Sequence, residues 1–306
     1  MNPNTDSFCG LDFQRDYISA VQYSIEEEAV TLIAIQPFPS GKREERWKIW
    51  RRELKTGRRC LRFFTPAVAC GMPAEYAIVK LVTLDADEEA PEEAIAWELQ
   101  QTAVDPVEEF VFDFQEMAHE EGHGVRTCLL AACRRDLVDR TAEMVRNVKF
   151  KPFIVDFDIF ALINVFAANY PEVWAAPNLI VHCEEEVTKL VLSHRGAFLG
   201  FHSFETAAGS LNAVESAARS AFEIDHFCVA HLGGARPGGI YATGSYFQQP
   251  LRRDVFFERI EGTRLLDPFR AIKCQVVIDG QQLRDYSLQL AVAVGLALRR
   301  GSKAGQ

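Results

Sequence analysis

The chain has 306 residues, of which 48% are hydrophobic and 25% are charged, a composition typical of a folded protein of one large or two modest domains. No apolar run approaches the roughly 20 residues that cross a bilayer, and the first residues lack the basic start and apolar core of a signal peptide. The formal net charge of −10 argues against nonspecific nucleic-acid binding, so we expect a cytoplasmic protein with no nucleic-acid partner and no membrane span.

Eight cysteines are spread along the chain, and no two of them form a C-x-x-C pair. The nearest two are Cys128 and Cys133, on a segment that we predict to run from a strand into a helix. This distribution is typical of reduced, buried thiols and argues against a disulfide framework or a cysteine metal site.

The first predicted elements are strands followed by a helix. Residues 8–38 alternate apolar and polar side chains with polar breaks, which predicts successive strands of a half-exposed sheet. We expect Ser40 to cap the helix and Gly57 to end it, with Trp47 and Trp50 on its buried face.

This helix lies in a basic segment. Residues 41–62 contain ten Lys or Arg and three Glu. The pattern favours a packed helix with a solvated basic face over a membrane-surface or nucleic-acid element, because a longer apolar face would be expected of the latter.

Residues 76–150 have the pattern of a compact unit of strand, helix, hairpin and helix. An acidic stretch with Pro91 in the first turn begins the helix that carries Trp97. The next strand places three phenylalanines on one face, and VRTCLLAAC supplies its hairpin partner. The phenylalanines are Phe110, Phe112 and Phe114.

The remaining patterns continue the alternation of strands and helices. In order they predict a strand at 153–157, a helix ending before Pro171, a hairpin at 178–204, a helix at about 206–222, a strand at 226–234 and a final apolar helix at 286–300. Because strands and helices alternate in both halves, we expect an α/β protein of two similar lobes.

The string from His119 to His123 reads H-E-E-G-H and matches the zinc metalloprotease pattern H-E-x-x-H. That chemistry needs both histidines on one helical face, whereas this string joins two predicted strands and contains Gly122. We therefore expect an exposed loop and no metal; a zinc hydrolase that uses the two histidines is the alternative.

Six segments, in this order, together resemble the PilM-type pilus assembly proteins, relatives of the actin-like division protein FtsA. They are GLDFQRDYISAVQ at 10–22, AVACGMPAEYAIVKLVTL at 67–84, AIAWELQQTAVDPVEEFVFDFQ at 94–115, KPFIVDFDIFAL at 151–162, RLLDPF at 264–269 and LQLAVAVGLALR at 288–299. No single segment is specific, but the ordered set covers most of the chain.

The resemblance implies an α/β, actin-like (ribonuclease H-like) fold of two lobes with an inserted small α+β subdomain. The first lobe is expected at residues 1–75 and 151–177, and the insertion at 76–150. Residues 178–306 are expected to form a reduced second lobe whose C-terminal helix returns to the first lobe.

The resemblance also implies a scaffold of a type IV pilus or type II secretion-like assembly, peripheral to the inner membrane through a partner. That partner is an inner-membrane protein of PilN type, whose N-terminal cytoplasmic tail lies in a groove between the first lobe and the inserted subdomain. The candidate partner-binding residues are Trp97, Phe110, Phe112 and Phe114. A place in the core is the alternative for at least two of the phenylalanines, and self-association is a further option.

In the family an ATP molecule lies between the lobes, held by two phosphate turns and an adenosine loop. The first turn usually reads D-I-G-S-S, and the matching residues here are Asp12, Phe13, Gln14, Arg15 and Asp16. The permissive glycine and the hydroxyl groups are absent, although a guanidinium can grip phosphate.

The second phosphate turn usually reads D-I-G-A-S and here reads H-C-E-E-E, from His182 to Glu186. Glu184, Glu185 and Glu186 would face a ligand of like charge, and each contact at 4 Å costs on the order of 4 kcal/mol at an effective dielectric constant of about 20. We therefore expect a solvated acidic turn in a cleft that no longer holds phosphate.

Two further features bear on the nucleotide. Family members carry an insertion after the second hairpin that forms one wall of the cleft, whereas only ETAAGS follows Phe204 here. The glycines that resemble the adenosine loop are Gly233 and Gly234, and a glycine run alone is weak evidence.

We predict a noncatalytic pseudo-ATPase with no cofactor. The alternative is an active actin-like ATPase that binds ATP with Mg²⁺ held by the glutamates and phosphate held by Arg15.

Overall fold

The computed structural model describes residues 7–39, 45–61, 64–117, 124–206, 213–276 and 280–300. The strands of these residues form three sheets of six, five and three strands.

The first sheet contains β1 Ser7–Phe13, β2 Tyr17–Ser24, β3 Ala29–Pro37, β4 Ala67–Met72, β8 Lys151–Phe157 and β14 Lys273–Cys274. Their order is β14-β3-β2-β1-β4-β8. β2 is antiparallel to both β1 and β3, whereas β4 and β8 extend the sheet parallel to β1.

The second sheet contains β9 Asn178–Cys183, β10 Val187–His194, β11 Ala197–Glu205, β12 Ile240–Thr243 and β13 Thr263–Leu265. Their order is β11-β10-β9-β12-β13, with β10 antiparallel and β12 and β13 parallel to β9. This repeats the order and directions of β3-β2-β1-β4-β8. The two lobes are therefore built on one plan, and the turn after β1 corresponds to the turn after β9.

The third sheet contains β5 Ala77–Asp85, β6 Phe110–Glu116 and β7 Val125–Arg134, in the order β5-β7-β6 with both pairings antiparallel. Helix α2, Pro91–Thr102, packs Ile95 and Leu99 against Leu130 on one face of this sheet. This sheet lies within the predicted insertion at 76–150.

The other helices cover the two larger sheets. They are α1 Arg46–Leu61, α3 Arg135–Arg146, α4 Asp158–Asn169, α5 Ala213–Leu232, α6 Pro250–Arg259, α7 Gly280–Ser287 and α8 Ala291–Ala297. Helices α1 and α3 share one core cluster with the first sheet, and α5 and α6 share another with the second sheet. Helices α4 and α8 share a third cluster with strands of both sheets and thus join the lobes.

Helix α8 approaches its neighbours very closely. A Cβ at Gly10 of β1 would lie 2.0 Å from the Ala293 carbonyl oxygen, and one at Gly295 of α8 would lie 1.9 Å from the Ala161 carbonyl oxygen. Because only glycine lacks a Cβ, these two positions let α8 lie directly on β1 and α4.

Three sequence predictions about elements were wrong. The segment 226–234, predicted as a strand, belongs mainly to α5, where Ile224, Phe227 and Cys228 are buried at helical spacing. Helix α1 continues past Gly57, whose Cβ would lie 3.3 Å from Gln36 Cγ, so this glycine serves close packing and does not end the helix. The final apolar helix, predicted at 286–300, is shorter: α8 covers only Ala291–Ala297, and a turn at 288–290 separates it from the end of α7. The predicted cap Ser40 lies outside the described residues.

Candidate functional site

The turns that follow β1 and β9 touch each other between the lobes. Arg15 Nη1 lies 2.8 Å from Glu186 Oε1, and the Tyr17 hydroxyl donates a hydrogen bond of 2.9 Å to Glu184 Oε1. Arg15 and Tyr17 belong to the first lobe and the glutamates to the second. The two turns predicted to hold phosphate are therefore joined by a hydrogen bond and an ion pair.

Glu184 is buried, with 8% of its surface exposed. The backbone N–H of Ser245 donates to its Oε1 at 3.1 Å, the Ser245 hydroxyl donates to its Oε2, and His182 Nε2 lies 3.1 Å from Oε1. Burial alone raises the pKa of this carboxyl, but the interaction with His182 and the hydrogen bonds from Ser245 outweigh it and hold the pKa below its usual value. Glu184 is thus a satisfied, ionised group inside the protein.

The other two glutamates pair with arginines. Glu185 Oε1 contacts Arg252 Nη1 of α6, and Glu186 Oε2 lies 2.5 Å from Arg46 Nη2 of α1. The expectation of a solvated acidic turn was therefore wrong. Glu185 and Glu186 keep 30% of their side chains exposed, but arginines from both lobes neutralise them, so the turn belongs to a polar network at the cleft.

Asp12 lies at the end of β1 and is 3% exposed. Gln14 Nε2 donates to both of its carboxylate oxygens, at 3.2 and 3.0 Å. Burial raises the pKa of Asp12 to about 7, more than the Gln14 hydrogen bond lowers it. The Trp50 indole donates to the Gln14 carbonyl oxygen at 2.6 Å, which fixes this turn to α1.

A buried ion cluster lies beside the two turns. Lys189 Nζ of β10 donates to Asp158 Oδ2 at the start of α4 and lies 2.9 Å from Glu75 Oε2. Asp158 Oδ1 also accepts the Ala74 N–H at 3.1 Å. Burial alone would lower the pKa of Lys189, but its two carboxylate partners raise it above its usual value. Lys189 therefore remains charged and holds the second lobe to the first.

Gly233 and Gly234 lie elsewhere. They follow α5 with φ angles of +60° and +87°. The chain after them returns to the start of β9, where the Gly238 N–H donates a hydrogen bond to the Pro177 carbonyl oxygen, whereas the second turn follows the end of β9. In contrast, β12 runs parallel to β9, pairs Thr243 with His182, and leads into Gly244 and Ser245 beside the second turn. A Cβ at Gly244 would lie 2.2 Å from the Cys183 carbonyl oxygen, so this position requires glycine. The glycine turn near the cleft is thus Gly244–Ser245, and the structure does not bring Gly233 and Gly234 to it.

A groove of about 330 Å³ separates the small sheet from α4. Strands β6 and β7 line one side, Phe160, Ile163 and Asn164 of α4 line the other, and Arg195 and Phe198 of the β10–β11 hairpin close one end. The groove residues of α4 and of the β10–β11 hairpin were not predicted, because in the sequence they had only the patterns of a core helix and a hairpin turn.

The four predicted partner-binding residues are placed differently from one another. Phe110 is buried, and Phe112 and Phe114 are half-buried against the same cluster on the α2 side of the small sheet. Phe114 also lines the groove. Trp97 is 62% exposed on α2, on the sheet face away from the groove.

The motif from His119 to His123 lies outside the described residues. In the described ranges, no cluster of three or more His, Cys, Asp or Glu is arranged to hold a metal ion. None of the helices in those ranges is both long and apolar enough to cross a membrane.

The comparisons with known proteins give a family and a fold. The model of the family "Type IV pilus assembly protein PilM" matches residues 10–177. A comparison with curated proteins gives no match.

Three solved structures show the fold. A structure of a PilM–PilN type IV pilus biogenesis complex matches with a TM-score of 0.76 and 20% identity over 97% of this chain and 99% of that chain. The cytoplasmic domain of EpsL, an inner-membrane component of the Vibrio cholerae type II secretion system, matches with a TM-score of 0.51 and 12% identity over 90% and 92%. A Bacteroides thetaiotaomicron protein of actin-like ATPase fold matches with a TM-score of 0.53 and 10% identity over 87% and 92%. The predicted actin-like fold is confirmed.

Proposed function

The chain belongs to the PilM family of type IV pilus assembly proteins, and from that premise we propose that it is a noncatalytic scaffold of a pilus or related type II secretion assembly. The observation that carries the proposal is the direct contact between the two turns, through Arg15 to Glu186 and Tyr17 to Glu184. A nucleotide between the lobes would have to break both contacts.

The residues at the turns do not fit a triphosphate. The Ser245 N–H and hydroxyl, which are the donors of the turn after β12, already bind Glu184. Arg15 is paired with Glu186, and the buried ammonium of Lys189 faces two carboxylates. A phosphate that took these donors would leave the carboxylates without partners, and each phosphate charge about 4 Å from such a carboxylate costs on the order of 4 kcal/mol at an effective dielectric constant of about 20. These contacts support a pseudo-ATPase.

An active ATPase of the same machinery is the competing function, since Arg15 lies at the first turn and could bind phosphate in an opened cleft. We expect no ATP turnover by the purified chain with Mg²⁺, and no change on Arg15→Ala. Turnover that Arg15→Ala abolishes would establish the competing function instead.

We further propose that the partner is an inner-membrane protein of PilN type, and that its cytoplasmic tail binds in the groove between β6 and α4. A chain held in this way is cytoplasmic and peripheral to the inner membrane. Strand β6 is an edge strand in the described sheet, so its backbone offers hydrogen bonds to an extended peptide.

Side chains of the groove suit an extended peptide with both apolar and polar side chains, since Asp113, Glu116 and Arg195 line it beside the apolar residues. Phe160, Ile163 and Phe198 supply apolar surface. Asn164 Nδ2 has no hydrogen-bond partner among the described residues and can donate to a peptide carbonyl. Main-chain bonds would then provide affinity, and the apolar side chains would select the peptide.

A pair of variants tests this placement. Ala131→Trp on β7 adds bulk at a half-buried position that lines the groove, whereas Trp97→Ala removes an exposed ring from the opposite face of the same sheet. In titration calorimetry with a synthetic partner tail, we expect Ala131→Trp to abolish binding and Trp97→Ala to retain it. The reverse pattern would place the tail on α2.

A further inference from the structure

Helices α1 and α3 together form a basic surface on the outer side of the first lobe. Lys48, Arg51 and Lys55 follow one another at spacings of three and four on α1 and are exposed. Lys48 and Arg51 share a shallow groove of about 250 Å³ with Arg140 and Asn147 of the α3 segment. We call this set of side chains the basic surface.

The charges of the basic surface are largely uncompensated. Among the described residues, Lys48, Arg51 and Lys55 have no carboxylate within ion-pair distance, and Arg140 lies 3.7 Å from Asp136 Oδ2. Of the described residues that line the groove, Glu143 is the single carboxylate. By contrast, Arg15, Arg46 and Arg252 at the cleft are paired with glutamates.

We propose that the basic surface docks on the anionic headgroups of a phospholipid bilayer, by charge attraction and without insertion. The 22-residue segment 41–62 holds ten of the 33 Lys and Arg in a chain whose net charge is −10, so positive charge is concentrated in this stretch of the sequence. The Debye length is about 8 Å at physiological ionic strength. Contact through α1 therefore brings the cations within reach of the lipid while most of the acidic remainder is screened. This inference is independent of the proposed tail binding.

The geometry favours lipid over nucleic acid. Proteins that bind nucleic-acid strands commonly stack aromatic rings on the bases. Here the Trp47 ring is already in contact with Trp50, at a centroid distance of 5.2 Å, and with the Arg140 guanidinium, at 5.6 Å.

The test is a vesicle sedimentation assay with the full chain. The probe is phosphatidylcholine vesicles with about one third phosphatidylglycerol, and vesicles of phosphatidylcholine alone are the reference. Each basic side chain near an anionic surface contributes about fivefold in affinity, so Lys48→Ala, Arg51→Ala and Lys55→Ala combined should weaken binding about a hundredfold.

A charge-matched control is available in the second lobe. Arg236, Arg259 and Arg264 are exposed and line a groove at the far end of that lobe. Their triple alanine variant has the same net charge as the α1 variant and should bind anionic vesicles like the unaltered chain. Circular dichroism checks that both variants fold, which we expect because all six side chains are exposed.

Three results would overturn the proposal: no binding of the unaltered chain to anionic vesicles, an equal loss in both variants, or binding that persists at high salt. Duplex DNA is tested in parallel by fluorescence anisotropy. Tighter binding to DNA than to vesicles, lost in the α1 variant, would make nucleic acid the ligand and also overturn it.

Discussion

Replacing Lys189 by methionine tests whether the cleft depends on its internal ion cluster. Lys189 is 4% exposed, and its ammonium is shared by Asp158 and Glu75. Methionine has a similar length and an apolar end, so the variant keeps most of the packing and removes the charge. Asp158 then stays buried, and Glu75 stays partly buried with 17% of its side chain exposed, without their shared cation.

The expected loss of stability is large. Removing one partner of a buried ion pair typically costs about 3–5 kcal/mol, because the remaining charge has lost both water and counter-ion. Asp158 keeps only the Ala74 N–H among its described partners. We therefore expect Lys189→Met to lower the free energy of unfolding by about 3–5 kcal/mol at neutral pH.

The measurement is urea unfolding followed by tryptophan fluorescence, with Lys80→Met as the matched control. Lys80 Nζ lies 2.6 Å from Glu98 Oε2, but its side chain is 41% exposed. An exposed pair contributes about 0–1 kcal/mol, so the control should be nearly neutral.

The loss of unfolding free energy in Lys189→Met should depend on pH in a definite direction. In the Lys189→Met protein, burial without a counter-charge raises the pKa of both carboxyls, so the folded state binds more protons than the unfolded state. The loss should therefore shrink as the pH falls towards the ordinary carboxyl range. A loss below about 1 kcal/mol, or one that does not change with pH, would refute the reasoning.

Three further predictions concern the packing and the cleft. In thermal melts, Gly295→Ala should lower the free energy of unfolding by about 1–3 kcal/mol, because the added Cβ would meet the Ala161 backbone. Gly280→Ala should be tolerated, and equal effects of the two substitutions would contradict the close packing of α8. Asp12→Asn should raise the melting temperature above pH 7 and have little effect near pH 4, because the raised pKa of Asp12 makes the folded state less stable as the pH rises from about 4 to about 7. The same effect at both pH values would argue against a buried carboxyl. Tyr17→Phe should cost about 1.5–3 kcal/mol in urea unfolding at neutral pH, because Glu184 loses a cross-lobe donor, and no loss would mean that the two turns do not touch in solution.

Much of the fold was predictable from local patterns. The alternation of residues 8–38 gives the antiparallel β1, β2 and β3, and the hairpin of the small sheet follows from its phenylalanine strand. The strands were recognisable from their apolar residues and polar breaks, but the prediction of a half-exposed sheet was wrong, because β1 and β2 are buried on both faces between two core clusters. The strand prediction for 226–234 was wrong because Phe227, Val229 and His231 occupy alternate positions, as residues on one face of a strand do. The buried residues of the whole of α5 instead follow helical spacing.

The site was less predictable because its chemistry depends on contacts that are distant in the sequence. The acidic turn was correctly singled out, but its partners Tyr17 and Arg46 lie 167 and 140 residues away from the glutamates they bind. No local pattern distinguishes a solvated glutamate from one that is paired across a cleft. Likewise, Gly244 has the composition of any turn, and only the pairing of β12 with β9 places it beside Glu184.

Titration calorimetry of Mg-ATP into the purified full chain tests the central claim most directly, that the protein's own side chains occupy the phosphate turns. We predict no binding heat at millimolar nucleotide, and none after Arg15→Ala. Saturable binding with a micromolar dissociation constant would contradict it, because phosphate would then displace the contacts of Glu184 and Glu186.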